Sequence, residues 1–358
     1  MPDYYIIAIN PGSTSTKIAV FKNDQCIFEE SLKHSTQDLA PFEKITDQLE
    51  FRKEAIWKRL KQAEIEPEKV WVIMGRGGLV KPIKSGVYIV DEAILRDLRD
   101  NLGGEHASNL GGLIAWEIAR EYPNATAYIT DPVVVDELED IARLAGHPIF
   151  SRRSVFHALN HKATARKHAK AIGKNYEELE LIVVHLGGGI SVAAHHQGRV
   201  VDVNMAVGGE GPFSPERAGS VPVTDVVKLA YSGKYTEKEL LRMLVGQGGL
   251  AAYLGTNNTC EVERRVKEGD QQAIFIYDAM AYQVAKAVGA KAVVLKGKVD
   301  GILVTGGVAY DQWFVDHIRD RVEWIAPVFV YPGENEMGAL AENARRVLHG
   351  EITVNHYK

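Results

Sequence analysis

Short apolar runs alternate with amphipathic stretches along the whole chain. Runs rich in Val, Ile and Ala predict buried strands, and stretches in which apolar residues recur every three or four positions predict helices. The predicted strands are residues 4–10, 17–21, 26–31, 70–74, 125–130, 181–186 and 301–304. The predicted helices are residues 40–63, 91–102, 108–121, 160–172, 223–231, 237–245, 261–268, 273–288, 313–325 and 338–348. This alternation is typical of an α/β protein.

One segment near the start of the chain has a loose repeat in the second half. Residues 6–33 read IIAINPGSTSTKIAVFKNDQCIFEESLK, and residues 181–204 read LIVVHLGGGISVAAHHQGRVVDVN. In each segment an apolar strand leads into a turn of glycine and hydroxyl residues, followed by a second strand, a polar turn and a third strand. Asn10 and His185 end the first strand of each copy. The repeat predicts two similar lobes that hold a nucleotide between them.

The composition narrows the class of protein. The 358 residues are enough for two domains, and a net charge of −5 gives no sign of bulk affinity for nucleic acid or membrane surfaces. Cys26 and Cys260 are far apart and form no CxxC pair, so we expect reduced, partly buried thiols. The chain shows neither a basic leader before its first apolar run nor about 18 consecutive apolar residues. We therefore expect a cytoplasmic protein.

Three glycine turns are candidate phosphate-binding loops. The first, NPGSTSTK at residues 10–17, combines a flexible glycine, hydroxyl groups and a lysine, but it is not a Walker A loop. Its candidate ligands are Asn10, Gly12, Ser13, Ser15 and Lys17. The second and third turns supply Gly187, Gly188, Gly189, Gly306 and Gly307. Taken alone, each turn is equally compatible with an ordinary structural turn.

These turns and several longer segments resemble the acetokinase family, in the superfamily of acetate and sugar kinases, heat-shock 70 proteins and actin. The matching segments are NPGSTSTK, GRGG, HALNHK, HLGGGIS, GPFSPERAGSVP, LGTNNTCEVE, VTGG and PGENEMGALA. Within the family, GRGGLVKPIKSGVY and GEGPFSPERAG are similar to butyrate and branched-chain fatty acid kinases. The resemblance covers nearly the whole chain.

The resemblance implies an α/β fold of two ribonuclease-H-like lobes, each a mixed sheet flanked by helices, with a cleft between them. Residues 1–150 and 338–358 would form the N-terminal lobe on the carboxylate and phosphate side. Residues 151–337 would form the C-terminal lobe on the nucleotide side. The implied reaction is reversible phosphoryl transfer from ATP to a short aliphatic carboxylate of the butyrate or isobutyrate type. It would yield ADP and an acyl phosphate, use Mg²⁺, and take place in a homo-oligomer.

Two arginines have implied roles in this reaction. A carboxylate substrate is already ionised, so the site needs positive charge and in-line positioning rather than a general base. Arg76, between glycines in GRGG, matches the family's substrate-binding arginine, and we expect the glycines to let the substrate approach. Arg217 would stabilise charge on the transferred phosphoryl group. Its segment departs from the acetate kinase pattern, and an ion pair with Glu216 is the structural alternative.

The remaining implied site residues are two histidines, an aspartate and a candidate magnesium pair. His157 and His185 match the family's active-site histidines and would donate to γ-phosphate oxygens. Asp131 matches an active-site aspartate, with a helix N-cap as the alternative. Asn10 and Glu336 are the expected outer-sphere partners of Mg²⁺.

Two further questions stay open from the sequence. The contact to ribose or adenine falls on Asn258, Glu261 or Glu263. The alternative function is a superfamily kinase that phosphorylates a sugar or another alcohol, with Asp131 as its general base. A neutral sugar has no need of Arg76, which favours the carboxylate. A zinc pair of His157 and His161 is not favoured, because HALNH lacks the glutamate of HExxH and shows no third ligand.

Overall fold

The computed structural model describes residues 3–63 and 65–358, which divide into two compact units. The first unit is Met1–Val135 with Asn335–Lys358, and the second is Asp136–Glu334. Residues 136–150 thus group with the second unit, whereas we predicted them in the N-terminal lobe. The reason is a set of polar contacts: Arg152 donates to the carbonyl of Ala142 and pairs with Asp202.

The strands and helices follow the predicted alternation. The strands are β1 (Tyr5–Pro11), β2 (Ser15–Lys22), β3 (Gln25–Lys33), β4 (Val70–Arg76), β5 (Val87–Ile89), β6 (Thr126–Thr130), β7 (Glu180–Leu186), β8 (Ile190–His196), β9 (Arg199–Val203), β10 (Gly301–Gly306) and β11 (Val328–Pro332). The helices are α1 (Thr36–Leu39), α2 (Leu49–Leu60), α3 (Glu92–Arg99), α4 (Asn109–Ala119), α5 (Ala158–Ala171), α6 (Val223–Ala230), α7 (Glu237–Leu244), α8 (Leu250–Leu254), α9 (Thr259–Lys267), α10 (Gln271–Val294), α11 (Gln312–Val322) and α12 (Glu336–Leu348). Of the helices that the structure describes, none is long and apolar enough to cross a bilayer.

The two sheets have the same arrangement around their central strands. The first has the order β3-β2-β1-β4-β6-β5, and the second has the order β11-β10-β7-β8-β9. β1 is antiparallel to β2 and parallel to β4, just as β7 is antiparallel to β8 and parallel to β10. The predicted α/β fold of two mixed sheets flanked by helices is confirmed, and the repeat in the sequence corresponds to β1–β3 and β7–β9.

Each central strand is buried on both faces. All seven residues of β1 are buried, as are six of the seven residues of β7. Helices α4 and α12 pack on β1, and α5 and α10 pack on β7. Strands covered on both faces read as continuous apolar runs, which is why the sequence pattern located them well.

Elements at the edges differ more from the prediction. The predicted helix 40–63 is a 3₁₀ turn, Ile45–Gln48, followed by α2, because the Asp47 carboxylate caps the backbone N–H of Lys44. The edge strands β5 and β11 and the short helix α8 were not predicted. Cys26 and Cys260 are exposed rather than partly buried, since one lies on the edge strand β3 and the other in the first turn of α9.

A pair of glycines brings α4 directly onto β4. A Cβ built on Gly111 would lie 2.2 Å from the carbonyl oxygen of Arg76, and one on Gly75 would lie 2.3 Å from that of Gly111. Neither distance can accommodate a side chain. The backbone that carries Arg76 is therefore fixed by direct contact with the helix behind it.

We expect Gly111→Ala to lower the free energy of unfolding by about 1–3 kcal/mol, because its methyl group overpacks this contact. Gly289→Ala is the matched control, since its Cβ in α10 would meet no atom within 4 Å. The control should stabilise the protein by up to about 1 kcal/mol through helix propensity. Urea unfolding of both variants measures the difference, and a Gly111→Ala protein as stable as the control would contradict the close contact.

Candidate active site

Three polar side chains meet where β1 and β4 end in the first unit. Arg76 Nη1 lies 2.6 Å from the Glu336 carboxylate and donates to Asn10 Oδ1 at 3.2 Å. The Asn10 amide nitrogen donates to the other oxygen of Glu336. Parallel strands bring Asn10 and Arg76 to the same edge of the sheet, and the first turn of α12 supplies the glutamate. The structure thus brings together three of the predicted site residues.

The glycines beside Arg76 are needed for close packing, whereas we expected them to let the substrate approach. A Cβ on Gly77 would lie 2.6 Å from the Pro132 side chain, and one on Gly78 would lie 2.7 Å from Asn109. With Gly75 already against α4, all three pack against protein. The GRGG segment therefore fixes the position of Arg76 through close packing of its backbone.

The turn between β1 and β2 rests on a buried arginine that the sequence analysis missed. Arg52 of α2 is 1% exposed and donates to the carbonyl oxygens of Gly12 (2.7 Å), Ser15 (3.0 Å) and Ser13 (2.9 Å). Its remaining donors contact Gln48 Oε1. Because the guanidinium binds these carbonyls, the turn keeps one shape. The signal was present: Arg52 shares the buried face of α2 with Ile56 and Leu60.

The side chains of the first glycine turn lie on its open side. Ser13 and Lys17 are exposed, and Ser15 is half-buried. Lys17 stands directly across the β1–β2 ladder from Asn10. A lysine beside backbone and hydroxyl donors is a suitable environment for an anion.

Asp131 follows β6 in a conformation that is uncommon for a residue with a side chain. Its φ is +37°, and its Oδ1 accepts from Ser85 Oγ at 2.6 Å and from the Gly86 N–H at 2.9 Å. The N-cap alternative is wrong, because residues 132–135 form a turn and not a helix. A positive φ held by two hydrogen bonds is a feature often found at functional sites.

The donors at the end of β1 fit an outer-sphere Mg²⁺ site. Asn10 and Glu336 offer the oxygen ligands that Mg²⁺ prefers, and both already hydrogen-bond within the protein. In the described residues no group of three or more His, Cys, Asp or Glu could cage an ion. This donor set suits an ion that keeps its waters and binds mainly to phosphate.

In the second unit, the Arg217 guanidinium lies against the second glycine turn. A Cβ on Gly189 would lie 2.0 Å from Arg217 Nη1, so only glycine leaves room for it. Nη1 donates to the carbonyl of Ala206 at 2.5 Å. Burial lowers the pKa of Arg217, partly offset by Glu216, but a guanidinium stays charged in proteins. Its buried Nε has no hydrogen-bond partner within residues 3–63 and 65–358.

The two predicted histidines stack beside the same turn. The rings of His157 and His185 lie 3.8 Å apart, centroid to centroid, at an interplanar angle of 14°. His185 Nδ1 is 3.0 Å from Asn160 Oδ1, and its Nε2 is 3.1 Å from the Glu334 carboxylate. His185 lies near the end of β7, beside Gly187, and His157 directly precedes α5.

A row of buried polar groups extends from His157 into the interior of the second unit. The Ser191 hydroxyl lies 2.9 Å from His157 Nδ1 and 2.8 Å from His161 Nε2. His161 Nδ1 is 3.3 Å from His195 Nε2. The row ends at the Tyr176 hydroxyl, 2.6 Å from His195 Nδ1. Burial lowers the pKa of His161 and of His195 well below the usual value of 6.5.

The third glycine turn lies beside the second one. Gly306 has a φ of +94°, and its Cβ would lie 2.3 Å from the carbonyl oxygen of Leu186, so glycine is required there. A Cβ on Gly307 would meet no atom within 4 Å, which leaves its backbone open.

The three candidates for the ribose contact all have local partners. Asn258 caps α9, Glu261 accepts from the Thr256 hydroxyl at 2.8 Å, and Glu263 pairs with Lys267. This geometry does not choose between them.

Comparison with known proteins shows to which family the chain belongs. Residues 127–322 match the model of the acetokinase family. Butyrate kinase 2 of Clostridium acetobutylicum is 52% identical over 355 residues, which cover 99% of each chain. The chain belongs to the acetokinase family. The resemblance found in the sequence motifs is therefore confirmed.

Solved structures of acetokinase-like enzymes share the fold. An acetate kinase of Porphyromonas gingivalis has a TM-score of 0.79 at 18% identity, covering 96% of this chain and 100% of that one. A propionate kinase of Francisella tularensis has a TM-score of 0.73 at 18% identity, covering 95% and 98%. At such low identity these likenesses support the two-lobe fold and carry no information on substrate.

The buried histidines predict how stability changes with pH. The unfolded chain binds protons on His161 and His195 near pH 6.5, whereas the folded protein does so only at lower pH. Their contribution to stability is therefore fully present above pH 6.5 and is lost as pH falls below it. For each histidine we expect the loss to approach about 1.4 kcal/mol per pH unit as the pH falls well below 6.5.

Urea unfolding between pH 7.5 and 5.5 measures this slope. His34 and His168, whose pKa values burial also lowers, contribute in both the wild type and the variants. His195→Gln should therefore reduce the slope by the share of one histidine. His356→Gln, at an exposed side chain, is the control and should keep the wild-type slope. Equal slopes in all three proteins would contradict the assignment.

Proposed function

We propose that this protein transfers a phosphoryl group from ATP to a short aliphatic carboxylate of the butyrate or isobutyrate type. The products are an acyl phosphate and ADP, and the reaction is reversible. The observation that carries the proposal is the 52% identity with a butyrate kinase over 99% of both chains. It is consistent with the presence of Arg76 and Arg217, of the stacked histidines and of the glycine turns.

The chemistry needs charge neutralisation more than proton transfer. A carboxylate oxygen attacks the γ-phosphorus, the bond from that phosphorus to the β–γ bridging oxygen breaks, and ADP leaves with the electron pair. Both reactants are anions, so cationic groups and in-line alignment lower the barrier. No general base is required, because the nucleophile is already ionised.

Arg76 is the proposed binding group for the carboxylate. In the structure its guanidinium already holds a carboxylate, that of Glu336, at 2.6 Å. A fork of N–H donors can bind a second carboxylate through the nitrogens that do not face Glu336. Asn10 and Glu336 then fix the orientation of the guanidinium.

The second unit supplies the proposed contacts to phosphate. Arg217 neutralises charge on the transferred group, and His157 and His185 donate to its oxygens. For His185 this requires that Nε2 exchange its contact with Glu334 for a phosphoryl oxygen. The turns at Gly187–Gly189 and Gly306–Gly307 bring backbone against the nucleotide. Mg²⁺, held through water by Asn10 and Glu336, would neutralise the β- and γ-phosphates.

The first test is ATP–Mg²⁺ turnover with hydroxylamine, which traps acyl phosphates as hydroxamates. We expect hydroxamate with butyrate and isobutyrate, and a modest range of rates across acetate, propionate and isovalerate. The range is modest because each buried methylene contributes only about 0.8 kcal/mol. Glycerol and glucose are controls. ADP release with these alcohols alone would instead favour the alcohol kinase, with Asp131 as base.

Arg76→Ala should raise the KM for the carboxylate by about tenfold to a hundredfold, the factor expected for a lost charge-assisted hydrogen bond. The KM for ATP should change little. Arg96→Ala, at a side chain 66% exposed on α3, is the matched control. Steady-state kinetics with both substrates decide the point. An unchanged carboxylate KM in Arg76→Ala would remove Arg76 from the substrate site.

A further inference from the structure

The row of buried polar groups behind His157 has one donor and one acceptor at every junction. We call its members the histidine relay: Tyr176, His195, His161 and Ser191. All four are buried, with exposed fractions of 0–3%. Nothing in the proposed phosphoryl transfer requires two histidines and a tyrosine at this depth. Unpaired buried polar groups are costly, so the row needs a reason.

The protons along the relay can be arranged in two ways: every hydrogen bond is donated towards His157, or every one is donated away from it. A neutral imidazole has one N–H donor and one acceptor nitrogen, so the proton position on one ring dictates that on the next. Both buried rings are neutral near pH 7, because burial lowers their pKa values. Once one end of the row is fixed, the position of every proton follows.

Tyr176 fixes the direction. Its hydroxyl lies 2.6 Å from His195 Nδ1, and a phenol is a better donor than acceptor towards an imidazole nitrogen. The Lys162 ammonium lies 5.6 Å from the centre of the Tyr176 ring, and burial, together with this charge, lowers the pKa of His195. His195 then donates from Nε2 to His161 Nδ1, and His161 donates from Nε2 to Ser191. The Ser191 hydroxyl is left to donate to His157 Nδ1.

We propose that the histidine relay positions His157 and keeps its ring proton on Nε2. With Nδ1 accepting from Ser191, Nε2 is the nitrogen that can donate to an oxygen of the transferred phosphoryl group. The opposite tautomer would present a lone pair to an anion. The relay residues are thus positioning residues that act through His157 and do not touch substrate themselves.

Nitrogen-15 NMR of the histidine side chains tests the relay directly, because protonated and unprotonated ring nitrogens resonate far apart. In the wild type we expect Nδ1 unprotonated and Nε2 protonated on His157, His161 and His195. Tyr176→Phe removes the terminal donor without changing the ring packing, and should give mixed tautomers on all three. Its kcat should fall about fivefold, the factor for one hydrogen bond, with both KM values unchanged.

Two further variants sharpen the experiment. Tyr331→Phe is the matched control, because it removes the same kind of contact, a phenol 2.8 Å from His168 Nδ1, outside the relay. It should leave the relay tautomers and kcat unchanged. Ser191→Ala cuts the relay next to His157, so His161 and His195 should keep their tautomers while His157 becomes mixed and kcat falls.

Three results would overturn the proposal: a proton on His157 Nδ1 in the wild type, unchanged tautomers in Tyr176→Phe, or mixed tautomers with wild-type kcat. The kinetic part rests on the proposed carboxylate kinase function, whereas the NMR part does not. Absence of hydroxamate from the wild-type protein would refute the function, and the tautomers would still decide whether the relay exists.

Discussion

The burial of the two central strands is the constraint on which the rest of the structure depends. β1 and β7 are covered on both faces and hydrogen-bonded on both edges, so their register cannot shift without exposing an apolar face. A polar residue can therefore occur only near the end of each strand, and there Asn10 and His185 stand. The position of these two side chains follows from packing that lies well away from the chemistry.

Around the ends of these strands, buried charged groups and close backbone contacts hold the chain in one conformation. Arg52 holds the carbonyls of the β1–β2 turn, and Gly75 and Gly111 bring the backbone of Arg76 against α4. In the second unit, Gly189 leaves room for the Arg217 guanidinium. Close contacts of glycine backbone thus fix the backbone of Arg76 and leave room for the Arg217 guanidinium. Rigid supports of this kind keep reacting groups aligned without an entropy cost at the moment of reaction.

The sequence predicted the elements whose pattern is strong and local. All seven predicted strands are present with bounds that shift by at most two residues. The central strands were the clearest, because strands buried on both faces are continuous apolar runs. The edge strands β5 and β11 were missed although both are apolar. β5 has only three residues, and Pro327 and Pro332 bound the run of β11. The glycine turns and the family's arginines and histidines were found through motifs.

Residues that act through tertiary contacts were not found. Arg52 is distant in sequence from the turn it holds, and a charged residue on a buried helix face was the single available sign. His195 and Tyr176 reach His161 only after β8 and the segment before β7 have folded. Likewise, the glycines of GRGG were interpreted as room for substrate, whereas their reason is contact with Pro132, Asn109 and α4. Patterns along a chain do not reveal which distant atoms will approach.

The order of the two units along the chain has a consequence for biosynthesis. The first unit is interrupted by Asp136–Glu334, and α12, which packs on β1 and carries Glu336, is translated after that insertion. At about 5–20 residues per second, the ribosome needs on the order of ten to forty seconds to pass it. Throughout that interval the nascent β1 has one face uncovered, and Arg76 lacks its carboxylate partner. The second unit is contiguous in sequence and has all its elements by then, whereas the first unit is complete only when α12 has been made.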